Sequence, residues 1–185
     1  MGCLKMKLKK VFLLSGTPGC GKSTWVRSQM DIYSEWISRD KIRFCFLQED
    51  EDYFAHEDDV FDVFINYINQ SLENPNLENI FIDATHLNER GRAKVLNRIT
   101  SRKNIEELNC VCFTTPLKVC LERNEKRTGR SKVPKSVVRR MFYSHTVPTL
   151  EEGFNNIIFI DEMGHTVMKG EIDLDLDNER YSFWT

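Results

Sequence analysis

The stretch Gly16-Thr17-Pro18-Gly19-Cys20-Gly21-Lys22-Ser23 determines the fold that we expect for this chain. It follows a short apolar run at residues 11–14, typical of a buried parallel strand, and it precedes a segment of helical character at residues 22–30. Glycines between a strand and a helix let backbone N–H groups turn towards a phosphate, and the helix N-terminus adds positive partial charge. The pattern therefore predicts a loop that binds the phosphates of ATP together with Mg²⁺.

Individual roles follow from the chemistry of such a loop. We expect Lys22 to reach the β- and γ-phosphates, and Ser23 to give a hydroxyl oxygen to Mg²⁺. Thr24 is the next residue of the helix and is counted with the loop as binding ATP. A glycine-rich turn without a ligand is the alternative interpretation.

Apolar runs alternate with helical segments along the rest of the chain. Further strands are predicted at residues 36–38, 79–83, 108–114 and 157–160. A helix is predicted at residues 88–102, and the acidic residues 48–59 are predicted to form a loop whose charges face solvent. Together with residues 11–14 the strands predict a five-stranded parallel sheet with helices on both faces, an α/β fold of the P-loop NTPase type. We expect one domain over residues 1–185, with a tail at about 165–185 that forms a small hairpin around Gly170. Right-handed crossovers bring the C-terminal ends of such strands to one edge, where ligands bind.

Two carboxylates are predicted at that edge. Asp83 ends the apolar strand of residues 79–83 and can hold Mg²⁺ or orient Ser23; an Asp that caps the following turn is the alternative. Asp40 lies where a strand gives way to a helix, and Arg43 follows three residues later on the same helix face. Asp40 could accept the proton of an incoming hydroxyl while Arg43 binds an anionic group of the acceptor. A helix N-cap with an ordinary surface ion pair explains this spacing equally well.

A cationic segment at about residues 123–134 is predicted to form a lid. Arg123 and Arg127 lie four residues apart on one side of a helix, and a glycine-containing loop follows them. Phosphoryl transfer relies on positive groups that stabilise the moving charge, so the two arginines are candidates for closing over ATP. A solvated basic face is the competing view.

Charge and composition restrict the possible classes of protein. Residues 90–140 carry 15 Lys or Arg against 4 Asp or Glu, whereas the whole chain has a formal net charge of −2. A block of one sign attracts polyphosphates or a nucleic-acid backbone, although no pattern of aromatic residues predicts base stacking. No apolar run is long enough for a bilayer, and the scattered cysteines form no CxxC pair. These features predict a cytoplasmic protein with reduced thiols and no membrane partner.

The chain resembles the bacteriophage 5′-polynucleotide kinases. The resemblance covers most of residues 11–160 and rests on the following segments: Gly21-Lys22-Ser23-Thr24-Trp25, Ser38-Arg39-Asp40-Lys41-Ile42-Arg43, Arg123-Asn124-Glu125-Lys126-Arg127-Thr128-Gly129, Val133-Pro134 and Arg140-Met141-Phe142-Tyr143. It implies that Asp40 is the general base, that Arg43 contacts an acceptor phosphate, and that Arg123 and Arg127 bind ATP phosphates. The acidic residue of the phage enzymes falls one position later, at Ala84, so the resemblance supports Asp83 less well.

The sequence thus predicts an ATP-dependent kinase. Its predicted catalytic residues are Lys22, Asp40, Arg123 and Arg127. The favoured acceptor is the 5′-hydroxyl of a polynucleotide, as in nucleic-acid repair. Zeta-toxin-like and other small P-loop kinases share the general plan, so a small molecule or sugar nucleotide is an alternative acceptor. A nucleotide-binding switch without transfer activity is the third possibility, and the oligomeric state is left open.

Overall fold

A computed structural model describes residues 7–170 of the chain. Its strands are β1 (Lys9–Ser15), β2 (Ser34–Ser38), β3 (Asn79–Asp83), β4 (Ile105–Phe113), β5 (Asn156–Ile160) and β6 (Thr166–Lys169). Its helices are α1 (Lys22–Gln29), α2 (Arg39–Phe46), α3 (Glu57–Glu73), α4 (Glu89–Leu96), α5 (Leu117–Glu125) and α6 (Lys135–Tyr143). The strands form one sheet in the order β2-β3-β1-β4-β5-β6, in which β1 to β5 pair in parallel.

The central strand β1 has apolar side chains on both faces because helices cover the sheet on each side. Val11 and Leu13 pack with α3 and α4 in one core cluster. Leu14 points to the other face and packs with residues of α1, α5 and α6. Both faces of β1 are therefore buried, which is why its sequence is a continuous apolar run. Within residues 7–170, no helix combines the length and the apolar character that a membrane span requires.

The sheet has six strands rather than the five expected, and its last strand is antiparallel. β6 pairs with β5 through a hairpin whose turn lies at residues 161–165, not around Gly170. The Asp161 carboxylate accepts hydrogen bonds from the backbone N–H groups of Met163, at 2.9 Å, and His165, at 2.8 Å. This local Asx bonding, with Gly164 at a φ of 89°, fixes the turn. The predicted tail therefore begins as part of the sheet, and residues 171–185 lie outside the described residues.

Helix α4 is shorter than the predicted helix of residues 88–102. It ends at Leu96 because side chains bind the backbone of the residues that follow. The side-chain carbonyl of Asn69, on α3, accepts a hydrogen bond from the Thr100 N–H at 2.9 Å. Its amide nitrogen donates to the Arg98 carbonyl at 3.2 Å. The Arg102 guanidinium donates to the Leu96 carbonyl at 2.8 Å and so gives a hydrogen-bond partner to one of the carbonyl groups at the C-terminal end of the helix. These tertiary contacts override the helical periodicity of the sequence.

A buried ion pair joins α4 to the segment before β5. Arg92 is fully buried, and its Nε and Nη2 donate to the two carboxylate oxygens of Glu152 at 2.6 and 2.7 Å. The same guanidinium donates to the carbonyl oxygens of His86 and Thr146. Arg92 thus ties the loop after β3, which borders the P-loop, to the chain that follows α6.

We expect Glu152→Ala to lower the free energy of unfolding by about 3 to 5 kcal/mol, because it leaves the Arg92 charge buried without its partner. Removal of an exposed pair provides the matched control. Asp62→Ala breaks the ion pair with Arg98, whose side chains are more than half exposed, and should cost less than about 1 kcal/mol. Urea denaturation of both variants measures the difference. Equal losses would contradict the structural role given to Arg92.

Candidate active site

The register of three neighbouring strands places the predicted site residues side by side. Asp83 at the end of β3 lies opposite Leu14 of β1 and opposite Ser38 of β2. Two residues after Leu14 the P-loop begins, and two residues after Ser38 comes Asp40. The phosphate-binding loop, the β3 carboxylate and the start of α2 are therefore brought to one edge of the sheet, as predicted for a parallel α/β fold.

Glycine geometry shapes the P-loop. Gly19 and Gly21 have φ values of 90° and 111°, in the region that side chains disfavour. A Cβ atom on Gly19 would lie 2.4 Å from the carbonyl oxygen of Cys120 on α5. The Thr17 hydroxyl is buried without a hydrogen-bond partner among residues 7–170. A tight cradle that holds an unpartnered polar atom fits the phosphates of a nucleotide.

Lys22 lies inside this cradle. Its ammonium donates to the carbonyl oxygens of Gly16 at 2.6 Å and Thr17 at 3.3 Å, and it lies 3.6 Å from the Cys20 sulfur. The positive charge is therefore held within the loop, where a polyphosphate would be bound. Pro18, in the same loop, is buried. In the first turn of α1, Ser23 is half-buried and Thr24 is exposed.

Asp83 is buried beneath the cradle. Its Oδ2 accepts a hydrogen bond from the Trp36 indole N–H at 3.0 Å, so the side chain is held by a neighbouring strand and does not simply cap the next turn. Burial raises the pKa of Asp83, and the charge of Lys22 and the Trp36 hydrogen bond oppose that rise.

Asp83 and Ser23 are the residues that could hold Mg²⁺. No cluster of three or more acidic, His or Cys side chains suited to a metal occurs within residues 7–170. A magnesium ion bound mainly by phosphate and water needs no such cluster.

Asp40 and Arg43 form an ion pair, the contact that the alternative interpretation of their spacing expects, but the pair lies inside a wider network. The N-cap of α2 is Ser38 and not Asp40. The Arg43 guanidinium donates to Asp40 Oδ1 at 2.6 Å and to Glu57 Oε2 at 2.7 Å. The Tyr53 hydroxyl donates to the same Asp40 oxygen at 2.9 Å and accepts from Arg43 at 3.0 Å. Arg43 is buried, whereas 65% of the Asp40 side chain is exposed. One carboxylate oxygen of Asp40 is thus held in place, and the side chain stays open to an incoming group.

The two lid arginines are placed differently. Arg123 reaches the P-loop: it donates to the Cys20 carbonyl at 3.4 Å and to the Glu162 carbonyl at 2.6 Å. Arg127 lies two residues beyond the end of α5, not on the same helix as Arg123 as predicted, and it donates to the Ser131 carbonyl at 3.4 Å. Arg130, in the same segment, donates to the carbonyl oxygens of Gln48 and Glu49 in the loop between α2 and α3. The segment predicted as a lid therefore contacts both the P-loop and the loop that follows α2.

Sequence reasoning missed several residues that support the site. Tyr53 and Glu57 belong to an acidic stretch that the sequence indicates only as a solvated loop, and no spacing rule connects them to Arg43. His86 has a φ of 39°, and its Nδ1 bonds the Leu14 carbonyl at 2.7 Å, so this nitrogen must carry the proton. Burial lowers the pKa of His86 to about 4. A positive φ is uncommon at non-glycine residues, and its modest enrichment at His is too weak a signal to predict the backbone conformation of His86.

Together these features define a P-loop nucleotide-binding protein. A phosphate cradle follows the first strand, a buried carboxylate ends the neighbouring strand, and an arginine of α5 reaches the cradle. The model of the AAA domain family AAA_33 matches residues 11–148, and the chain belongs to this family.

Solved structures share this fold at low sequence identity. A chain of the Pnkp1/Rnl/Hen1 RNA repair complex is 21% identical with a TM-score of 0.58; the match covers 76% of this chain and 45% of that one. A fungal RNA kinase is 14% identical with a TM-score of 0.57, covering 96% and 83%. A gluconokinase from Sinorhizobium meliloti 1021 is 16% identical with a TM-score of 0.51, covering 96% and 93%.

The fold is therefore that of P-loop kinases. The chain spans less than half the length of the RNA repair protein that it matches. No curated protein sequence matches the chain.

We expect Gly19→Ala to abolish ATP binding and to lower the free energy of unfolding by more than about 2 kcal/mol, because strain at positive φ adds to a clash with backbone. Gly164→Ala is the matched control, since its φ is 89° and no atom lies within 4 Å of the added Cβ. That variant should lose only about 1 to 2 kcal/mol and keep ATP binding. Thermal denaturation with and without Mg²⁺·ATP measures both effects. ATP binding by Gly19→Ala at the wild-type affinity would refute the cradle.

Proposed function

We propose that this protein transfers the γ-phosphate of ATP to the 5′-hydroxyl of a polynucleotide, as in nucleic-acid repair or end-healing. The observation that carries the proposal is the position of Asp40. Its carboxylate is fixed on one oxygen by Arg43 and Tyr53, remains largely exposed, and stands at the sheet edge that holds the P-loop. A nucleotide-binding switch has no need of a carboxylate held in this way at the acceptor side.

In the proposed reaction, Asp40 accepts the proton of the 5′-hydroxyl as its oxygen attacks the γ-phosphorus. The bond between that phosphorus and the oxygen bridging it to the β-phosphate breaks, and ADP leaves. A general base of this kind must lie within hydrogen-bond reach of the hydroxyl that it deprotonates. In the proposed reaction this role falls to the carboxylate oxygen of Asp40 that Arg43 and Tyr53 do not bind.

The cationic groups stabilise the charge that moves during transfer. Lys22 is held within the loop, and Arg123 approaches it from α5, so both can contact the phosphates. Arg127 lies two residues beyond the end of α5 and would join them when the proposed lid closes. Mg²⁺, held through Ser23 and Asp83, would neutralise part of the phosphate charge. None of these groups takes part in proton transfer.

The RNA repair complex and the fungal RNA kinase support a nucleic-acid acceptor, as does the positive charge of residues 90–140.

A small neutral acceptor is the second candidate, and a specific observation favours it. Arg43, which the resemblance assigns to an acceptor phosphate, is already paired with two carboxylates, Asp40 and Glu57. The hydroxyl of a neutral sugar would leave this network intact, whereas an acceptor phosphate would have to compete for Arg43.

Incubation with γ-labelled ATP and a panel of acceptors tests the proposal. We expect label on 5′-hydroxyl RNA or DNA and none on gluconate, other sugars or free nucleosides. Asp40→Asn should keep the affinity for ATP and lower the rate of transfer by about 10²- to 10⁴-fold, the usual contribution of a general base.

Asp62→Asn, which also removes an exposed carboxylate that is paired with an arginine, should transfer at the wild-type rate. Label on a sugar alone would replace the polynucleotide with the second candidate. A rate for Asp40→Asn close to that of the wild type would remove Asp40 from the role of base.

A further inference from the structure

Three aromatic side chains gather beside Asp40. Phe44 lies on α2, and Tyr53 and Phe54 lie in the loop that leads to α3. The ring centroids of Phe44 and Tyr53 are 6.2 Å apart, and those of Tyr53 and Phe54 are 4.9 Å apart, both pairs meeting edge to face. We call Phe44, Tyr53 and Phe54 the aromatic platform.

The aromatic platform is joined directly to the proposed catalytic network. The Arg43 guanidinium lies 4.6 Å from the Tyr53 ring centroid and 5.5 Å from that of Phe54. The same guanidinium donates to Asp40, and so does the Tyr53 hydroxyl. An arginine between a carboxylate and two rings orients all of them through cation–π and ion-pair contacts. The rings are therefore held next to the position where the acceptor hydroxyl is expected.

The outer rings of the platform contribute little to the hydrophobic core. Phe54 is 58% exposed and Phe44 is 40% exposed. Neither belongs to the two core clusters on the faces of the sheet. Single exposed apolar side chains are common, but adjacent exposed rings beside a polar site indicate a surface for a flat apolar ligand.

We propose that the aromatic platform stacks the base of the acceptor's 5′-terminal nucleotide, an inference that rests on the proposed function. A base is flat and uncharged, and it is attached to the same sugar as the 5′-hydroxyl that Asp40 would activate. The neighbouring side chains Glu49, Asp50, Glu51 and Asp52 are acidic, so they disfavour a path of phosphates over this loop. The platform therefore suits the terminal base, and the rest of the strand leaves in another direction.

Stacking of this kind tolerates any sequence because every base has a π-face. We therefore expect the platform to recognise the presence of a terminal base and not its identity. The lid supports the arrangement, since Arg130 bonds the backbone of Gln48 and Glu49 in the same loop. The loop that carries Tyr53 and Phe54 is thus tied to the segment that carries Arg127.

The test compares two 5′-hydroxyl oligonucleotides that differ only in the first nucleotide, which is normal in one and abasic in the other. For the wild-type protein we expect the abasic end to raise KM by about fivefold to 150-fold, the range for one base stacked on an aromatic ring. Phe54→Ala should raise KM for the normal end and make the two oligonucleotides nearly equivalent. Tyr67→Ala removes an aromatic side chain of similar exposure on α3 and should behave as wild type.

The outcomes separate this inference from the proposed function. Equal KM values for both oligonucleotides with the wild-type protein, at a normal rate of transfer, would overturn the platform and leave the polynucleotide kinase standing. A loss in Phe54→Ala that is the same for both oligonucleotides would also overturn it, because the ring would then act on structure and not on the base. Absence of transfer to either oligonucleotide would overturn the proposed function and the platform together.

Discussion

The parallel alignment of β1, β2 and β3 is the constraint on which the site depends. These strands end level with one another, so that Asp83 stands beside Leu14 and Ser38. Whatever follows each strand must then share one edge: the P-loop after β1, Asp40 after β2 and the histidine-bearing loop after β3. The bond from the Gly16 N–H to the Thr85 carbonyl, at 2.9 Å, continues this alignment beyond the strands. A shift of register in β3 would separate the phosphate cradle from the acceptor side.

Each of the carboxylates Asp40, Glu57 and Asp83 near the site is held by a hydrogen-bond donor. Asp83 accepts a hydrogen bond from the Trp36 indole and is attracted by the charge of Lys22. The Lys41 ammonium lies over the Trp36 ring, 3.6 Å from its centroid. Arg43 is shared between Asp40 and Glu57. Burial raises the pKa of Tyr53 to about 12, so its hydroxyl keeps its proton and remains a donor to Asp40 at neutral pH. These contacts keep the site polar and ordered within a largely apolar fold.

The sequence pattern predicted those parts of the structure that depend on contacts between residues close together in the chain. The P-loop, the bounds of β3 and the helix face that Asp40 and Arg43 share each depend on neighbours close in the chain, so their residues carried the signal. β4 begins three residues earlier than predicted. Tyr53, Glu57 and the aromatic platform could not be predicted, because they meet Arg43 only through the turn between α2 and α3. The sixth strand was missed for a similar reason: β6 is short and largely exposed, and the turn before it depends on the bonding of one side chain, Asp161.

A crystal structure with ADP, aluminium fluoride and a 5′-hydroxyl oligonucleotide tests the central claim most directly, namely that Asp40 and the P-loop open onto one cleft. The account predicts the 5′-oxygen about 2.6 to 3.2 Å from the Asp40 carboxylate, with the aluminium fluoride on its far side and against Lys22. An acceptor oxygen bound to a different side chain, or another element between Asp40 and the nucleotide, would contradict it.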